Sequence, residues 1–415
     1  MMNLKTGIAP VLAEQYADML SLDFRRRNGL LESYHHNTDD LVKWDKRLQT
    51  YIGGLLYLKD DACAYLESQL ESPLSCGDVF AIGTFSSHSG NYRLLEGCMG
   101  LIQAMPHLLS AVEPLVAWSA SKSSFLDLAI FSPVVGVIAA YQTGVASQMP
   151  VLTNIEISRL TTLPIAIPGL IYVLYHQQHP NYFSLISQLA NSSDVQISLG
   201  VIKAILERNL PYRDISIELL LIRLIECSSG KVRERAVMLY LLNTDCVTVN
   251  CLNLLSQKSS DKRLYLKALG MSGIPENISI LSEYLESPEY ARLSAASIVM
   301  ITGSSLEQAG WKSEISLLSS TYHNDQHDII PVNESDEALS WPDKTAFQRW
   351  WNINSSNFDK SSPYIGGYPV TVAGLKTVLH QGLLALHPLA VARLQYLKQE
   401  VSSLSTPSFL RKPRW

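Results

Sequence analysis

The side chains best able to do chemistry in this 415-residue chain are few and far apart. In Gly83-Thr84-Phe85-Ser86-Ser87-His88-Ser89-Gly90, the Ser86 hydroxyl and the His88 imidazole lie close in sequence. A serine nucleophile, however, needs a strained strand-to-helix elbow of the form G-x-S-x-G. That frame is missing, and the stretch reads as the turn of a helix pair. His323-Asn324-Asp325-Gln326-His327-Asp328 has metal-ligand residue types. Ligating imidazoles need neighbours that fix their tautomer, and an acidic, loop-like stretch supplies none, so it reads as a solvated loop. His35-His36 precedes the expected start of a helix at Thr38 and reads as polar surface. Trp350 and Trp351 offer a stacking platform, although paired tryptophans opening a terminal module serve more often as core. No catalytic residue, metal or cofactor is expected.

The remaining candidates are arginines. Arg233, Arg263 and Arg292 recur about 30 residues apart, the period of a helix-pair repeat. Acids recur slightly earlier, at Asp194, Asp261 and Glu289. Two readings follow. In one, the arginines form a stripe that grips an acidic partner, since a guanidinium fork matches a carboxylate. In the other, each arginine bonds the acidic turn of an adjacent repeat. The joint recurrence of acid and base favours the second.

Bulk properties narrow the classes. A hydrophobic fraction of 47% with 17% charged residues fits a folded chain. A net charge of −5 disfavours a dedicated nucleic-acid binder, although Lys203, Arg208, Arg213, Lys231, Arg233 and Arg235 concentrate locally. Cys63, Cys76, Cys98, Cys227, Cys246 and Cys251 form no CxxC pair, so a zinc framework is unsupported and they read as small buried hydrophobes. Glu14 and Asp18 interrupt any apolar leader. No charge occurs between Asp127 and Glu156, which is long enough to span a bilayer. Its prolines and polar residues, with no basic flanks nearby, read instead as buried helices.

The elements that position these residues repeat. Between 178 and 303, first helices are expected at Tyr182, Leu185, Ile186, Leu189 and at Ile217, Leu220, Leu221, Leu224. Weaker copies follow at Val247, Cys251, Leu254 and at Ile278, Leu281, Leu285. Polar turns end each one, for example Asn191-Ser192-Ser193-Asp194. Second helices then align Val195, Leu199, Ile202 with Val232, Ala236, Leu239, with Leu266, Leu269, and with Ala291, Ala295, Ile298. Degenerate copies are expected over 72–177. An N-terminal cap over 1–71 carries one helix with Leu12, Tyr16 and Met19, ending in Arg25-Arg26-Arg27, which favour a helix C-terminus. A second helix from Thr38 carries Leu41, Trp44, Leu48, Ile52 and Leu55. Residues 304–338, with seven acids and one base, read as an exposed linker. A module over 339–403 follows, opened by Trp341-Pro342-Asp343 and containing a Gly366-Gly367 turn, then a basic tail over 404–415.

Three stretches carry a family resemblance. They are Phe24-Arg25-Arg26-Arg27 with 41–56; Ala291-Arg292-Leu293 leading to Ile301-Thr302-Gly303; and Ser340-Trp341-Pro342-Asp343 with Trp350 or Trp351, Asn354, Phe358 and 364–369. In these the chain resembles a family of proteobacterial HEAT-repeat proteins that carries no established activity. The resemblance spans nearly the whole chain, and the Trp-Pro-Asp module is its most specific part. It implies a cytoplasmic protein and, from members encoded near type VI secretion genes, work as a non-enzymatic adaptor or chaperone for a secreted effector or secretion component. Residues 100–180 depart from the family's Asp-Pro-Arg-rich repeats, which leaves the repeat count there open, and oligomeric state is likewise open.

The expected fold is therefore all-α: a HEAT-like α-solenoid whose concave face binds a protein partner. The alternatives are a HEAT-like nucleic-acid-binding or repair protein and a HEAT-like lyase. The His-Glu dipeptides that hydroxylases of this architecture use for iron do not occur.

Overall fold

The computed structural model describes residues 5–119, 132–146, 149–243, 252, 255–256, 261–313, 336–360 and 362–397. These residues are mostly helical and divide into two compact units. One holds the described parts of Met1–Leu30 and Asp39–Leu220, and the other those of Leu31–Thr38 and Leu221–Ser402.

The first unit begins with α1 (Lys5–Leu30) and α2 (Thr38–Gln69). α1 packs on α3 (Cys76–Ser89), which in turn meets α4 (Tyr92–Ala104) and α5 (Val112–Trp118). A capping box between Ser75 and Asp78 starts α3, and Gly90, at φ 72°, ends it in the left-handed conformation that glycine adopts without strain. The α1 stripe differs from expectation. Ala13, Ala17, Leu20 and Phe24 are buried, whereas Leu12, Tyr16 and Met19 are half-exposed. Small Ala13 and Ala17 let the neighbouring helix approach, which a hydrophobicity pattern underweights. The arginines do stand at the end of the helix, with Arg27 in its last turn, but that residue is not a solvated charge. α1 runs on to Leu30, and Arg27 is fully buried against Asp45 of α2 at 2.5 Å.

Further along come α6 (Pro133–Thr143), α7 (Asn154–Leu160), α8 (Ile167–His176), α9 (Tyr182–Ala190) and α10 (Val195–Arg208). Helices α5, α6, α8 and α10 touch in chain order, with α9 packed beside α8 and α10. Residues 134–141 of α6 and 167–174 of α8 are buried throughout, which explains why their sequences are apolar all round. α6 has 11 residues, only about half the rise needed to cross a bilayer. Among the described residues no single helix is long and apolar enough to cross a membrane; α7 and the segment Pro164–His176 reach that length and apolar composition only together, across a bend of 113°. The expected helix piece at 126–130 lies outside the described residues.

α11 (Ile217–Cys227) carries the chain on to α12 (Gly230–Asn243), α13 (Lys262–Ser272), α14 (Asn277–Glu283) and α15 (Ala291–Thr302). α12, α13 and α15 touch in series, and α14 packs on α13 and α15. The expected second-helix positions are buried at Ile202, Ala236, Leu239, Leu266, Leu269, Ala291, Ala295 and Ile298, while Val195, Leu199 and Val232 are half-buried. Val247, Cys251 and Leu254 lie outside the described residues.

The last segment of the second unit comprises α16 (Lys344–Asn354), a hairpin of β1 (Tyr364–Ile365) and β2 (Tyr368–Pro369), α17 (Val372–Gln381) and α18 (His387–Tyr396). Gly366 and Gly367, at φ 60° and 82°, form the two-residue turn that such a hairpin needs. This segment closes the C-terminal ends of three earlier helices, whose last carbonyls have no partner within their own helix. Arg393 donates to the Leu242 carbonyl at 2.7 Å, and the Tyr364 N–H donates to the Gly273 carbonyl at 2.8 Å. The N–H groups of Gly366 and Gly367 donate to the carbonyls of Met300 and Ile301 at 2.8 and 2.9 Å. A Cβ on Gly303 would sit 2.1 Å from the Gly366 oxygen, so the contact requires glycine.

Two expected boundaries move. The exposed linker does not start at 304, because Leu306 and Trp311 are buried in the same core as Ile298 and Phe347, and Asp336 is buried as well. Residues 31–38, expected in the N-terminal cap, join the second unit. The Leu384 N–H donates to the His36 carbonyl at 2.9 Å, and Asn37 bridges Leu383.

Candidate functional site

The three recurring arginines each stand in the first turn of a second helix: Arg233 on α12, Arg263 on α13 and Arg292 on α15. Their partners differ. Arg233 holds Asp261 with a two-pronged fork, Nη1 to Oδ1 and Nη2 to Oδ2, both at 2.6 Å. The two side chains are 16% and 6% exposed, so water screens the pair little. Asp261 immediately precedes α13, yet its side chain does not cap that helix. It points back to the preceding repeat's arginine instead. Asp194, at the equivalent turn, caps α10 through the Gln196 N–H at 2.8 Å.

Arg263 keeps the same direction but finds a distant acid. Its Nη2 reaches both oxygens of Asp336 at 2.6 and 2.7 Å, while Nη1 donates to the Glu289 backbone carbonyl at 3.3 Å. Glu289 thus contributes a peptide oxygen where its carboxylate was expected. Arg292 ends the series. Its guanidinium lies over the Trp341 ring, 4.9 Å from the centroid, and no ion pair joins it to a carboxylate among the described residues. Both side chains are half-buried.

Trp341 is held firmly. Its carbonyl accepts from the Ser313 N–H at 2.8 Å, Lys312 bridges Pro342, and the Asp343 N–H donates to the Trp311 carbonyl at 2.8 Å. The Asp343 side chain then caps α16 through the Ala346 N–H at 2.9 Å.

Trp350 and Trp351 lie on the inner side of α16. Trp350 is 6.3 Å from the fully buried Trp311 and 6.1 Å from Phe347. Trp351 meets Phe358 at 5.5 Å, and Phe358 meets Tyr364 edge-on at 5.1 Å. The pair is a packing contact that ties α16 to the hairpin.

The other sequence candidates separate. Ser86 is buried within α3 and donates to the Ile82 carbonyl at 2.6 Å, a bond within its own helix. His88 also lies in α3, not in a turn, and donates from Nε2 to the Trp118 carbonyl at 3.0 Å. His35 donates to the Ala338 carbonyl at 3.3 Å, and His36 contributes its backbone to the contact with Leu384. His323 and His327 lie outside the described residues, as does the basic tail. Among the described residues no group of three or more His, Cys, Asp or Glu is placed to hold a metal ion. Of the cysteines, only Cys98 among those described is a buried hydrophobe, and burial pushes its thiol up to about 12; Cys63 and Cys76 are half-buried and Cys227 is exposed.

Two charged clusters escaped the sequence reading. Asp23, fully buried on α1, accepts from Arg47 at 2.7 Å and from the Tyr51 hydroxyl at 3.2 Å, near the Arg27–Asp45 pair. Tyr141 donates to Glu207 at 2.7 Å while Arg208 lies over its ring at 4.8 Å. Burial, reinforced by Glu207, holds the Tyr141 hydroxyl well above its ordinary range. Arg208 also bonds the Tyr141 carbonyl near the end of α6, so this one of the locally concentrated basic residues serves packing.

Compared with protein-family models, curated proteins and solved structures, the chain matches none.

Proposed function

We propose that the protein is a non-enzymatic scaffold, a HEAT-like α-solenoid that binds another protein as an adaptor or chaperone. The observation that supports it most is the serial contact of second helices, α6 to α8 to α10 in one unit and α12 to α13 to α15 in the other. Each element leans on its sequence neighbours, the organisation from which repeat proteins build extended binding surfaces. The paired arginines on α12 and α13 support a structural role for those two positions, and the tryptophan pair has the same role on α16. Within the second unit, the hairpin and α18 cover the C-terminal ends of α12, α13 and α15, so the proposed partner surface lies away from that edge of the row. The resemblance to a secretion-linked family extends the proposal to a cytoplasmic protein serving a type VI secretion effector or component.

The test is in-cell cross-linking of the tagged full chain in its native host, followed by mass spectrometry. A protein recovered in stoichiometric yield, insensitive to nuclease, is expected. Nuclease-sensitive recovery of nucleic acid would favour the repair or nucleic-acid-binding alternative, and a co-purifying tetrapyrrole would favour the lyase.

A further inference from the structure

We propose that Arg292 and Trp341 form a carboxylate-binding site that takes an Asp or Glu side chain from an acidic segment of the partner protein. This rests on the scaffold reading above and adds the chemistry of its recognition. The preceding members of the series define what this position accepts. Arg233 and Arg263 stand at equivalent places on neighbouring helices, and each binds both oxygens of an aspartate that comes from later in the chain, Asp261 through two nitrogens and Asp336 through Nη2. Arg292 occupies the third such place on α15, where its guanidinium meets the face of Trp341 and no carboxylate among the described residues. Among the described residues, this third place supplies an arginine without an acid.

The contact with the ring does not compete for the atoms a carboxylate needs. A guanidinium over an indole face is held through its π-system, whereas a carboxylate is bound by its N–H donors. Holding the side chain on the ring also lowers the entropy lost when an acid binds, since the rotamers are already restricted. The ring itself is fixed by the Ser313, Lys312 and Asp343 backbone contacts, so the platform is formed before the ligand arrives. Half-burial of both side chains keeps the site reachable while partly shielding it from solvent. Lys344, three residues after Trp341, is engaged by Glu286 at 2.7 Å and does not compete for the incoming acid.

The experiment measures binding of a hexaglutamate peptide to the full chain by calorimetry, with hexaglutamine and inorganic phosphate at matched ionic strength as comparisons. Hexaglutamate is expected to bind and hexaglutamine not, with phosphate competing no better than chloride. R292A should weaken the peptide at least tenfold. R292K, which keeps the charge but lacks the fork, should recover only a minor part. Circular dichroism and the urea midpoint of each variant show that the fold is kept. Unchanged affinity in R292A, no binding by the unaltered chain, or preference for phosphate would each overturn the site. If cross-linking recovers a protein partner whose yield R292A leaves unchanged, this site fails while the scaffold reading stands. If no partner protein is recovered at all, the scaffold reading fails.

Discussion

Arg27 and Arg233 are both paired with aspartates, but water reaches them differently, and their deletion should differ accordingly. The Arg27 and Asp45 side chains are 0% and 1% exposed. Asp45→Ala strands a buried guanidinium beside Trp118, whose ring centroid lies 5.4 Å from it. A loss of about 3–5 kcal/mol in urea denaturation is expected, the usual cost of removing one partner from a buried pair. Arg233→Ala breaks a pair with one partly exposed member and should cost about 1.5–3 kcal/mol, in the range for charged hydrogen bonds. Equal losses at the two sites would show that burial does not set their strength. His387 gives a pH signature. Burial, opposed by a hydrogen bond with the Gly382 backbone and aided by His380, lowers its pKa to about 4 from the ordinary 6.5. The folded chain therefore prefers the neutral ring, and the unfolded chain binds the proton first as pH falls. Stability from this group is complete above pH 6.5 and is lost progressively down to about pH 4, by up to roughly 3 kcal/mol. Thermal midpoints of the unaltered chain and His387→Gln, compared at pH 7 and 5, check this. Identical pH slopes would remove His387 as the cause.

Two glycines with nearly the same backbone test the contact between α15 and the hairpin. Gly303 and Gly310 have φ of 70° and 71°, so alanine is strained at both. That strain alone costs roughly 1–2 kcal/mol. At Gly310 a Cβ meets nothing within 4 Å, whereas at Gly303 it meets the Gly366 oxygen at 2.1 Å. Gly303→Ala is therefore expected to destabilise by at least ~2 kcal/mol more than Gly310→Ala, because one backbone must move away and release the Gly366 and Gly367 bonds. Equal costs would mean that the hairpin does not rest on α15 as described. The close approach of Gly303 and Gly366 gives a physical reason for glycine at position 303.

At the level of the chain, residues 336–397 are part of the second unit's core and not an appendage to it. They supply the Asp336 carboxylate, the Trp341 platform, the Phe347 core contact and the donors on Leu242, Gly273, Met300 and Ile301 carbonyls. A chain ending at residue 335 should consequently lose more helical signal than α16, α17 and α18 contribute, and should bind a hydrophobic dye such as ANS. A truncated chain that unfolds with the midpoint of the full one, without dye binding, would show the segment to be dispensable.

The sequence by itself determined the helices and much of what they bury. The period of apolar residues at Tyr182, Ile186 and Leu189, or at Ala291, Ala295 and Ile298, is a local property of one helix, and turn residues such as Asp194 and Asp343 cap through bonds a few residues away. It also foretold the helix opened by Trp341-Pro342-Asp343 and the arginine series. What only the tertiary structure decided were pairings across long separations. Asp336 meets Arg263 from 73 residues away, Arg393 reaches Leu242 from 151, and residues 31–38 join Leu383 and Leu384. Arg27 stands in the last turn of α1, as the sequence suggested, yet Asp45 and Trp118 enclose it. Periodicity records which face of a helix is apolar. It carries no record of which distant acid, carbonyl or ring comes to stand against that face, because that choice is made by packing between elements whose separation along the chain leaves no pattern in either one.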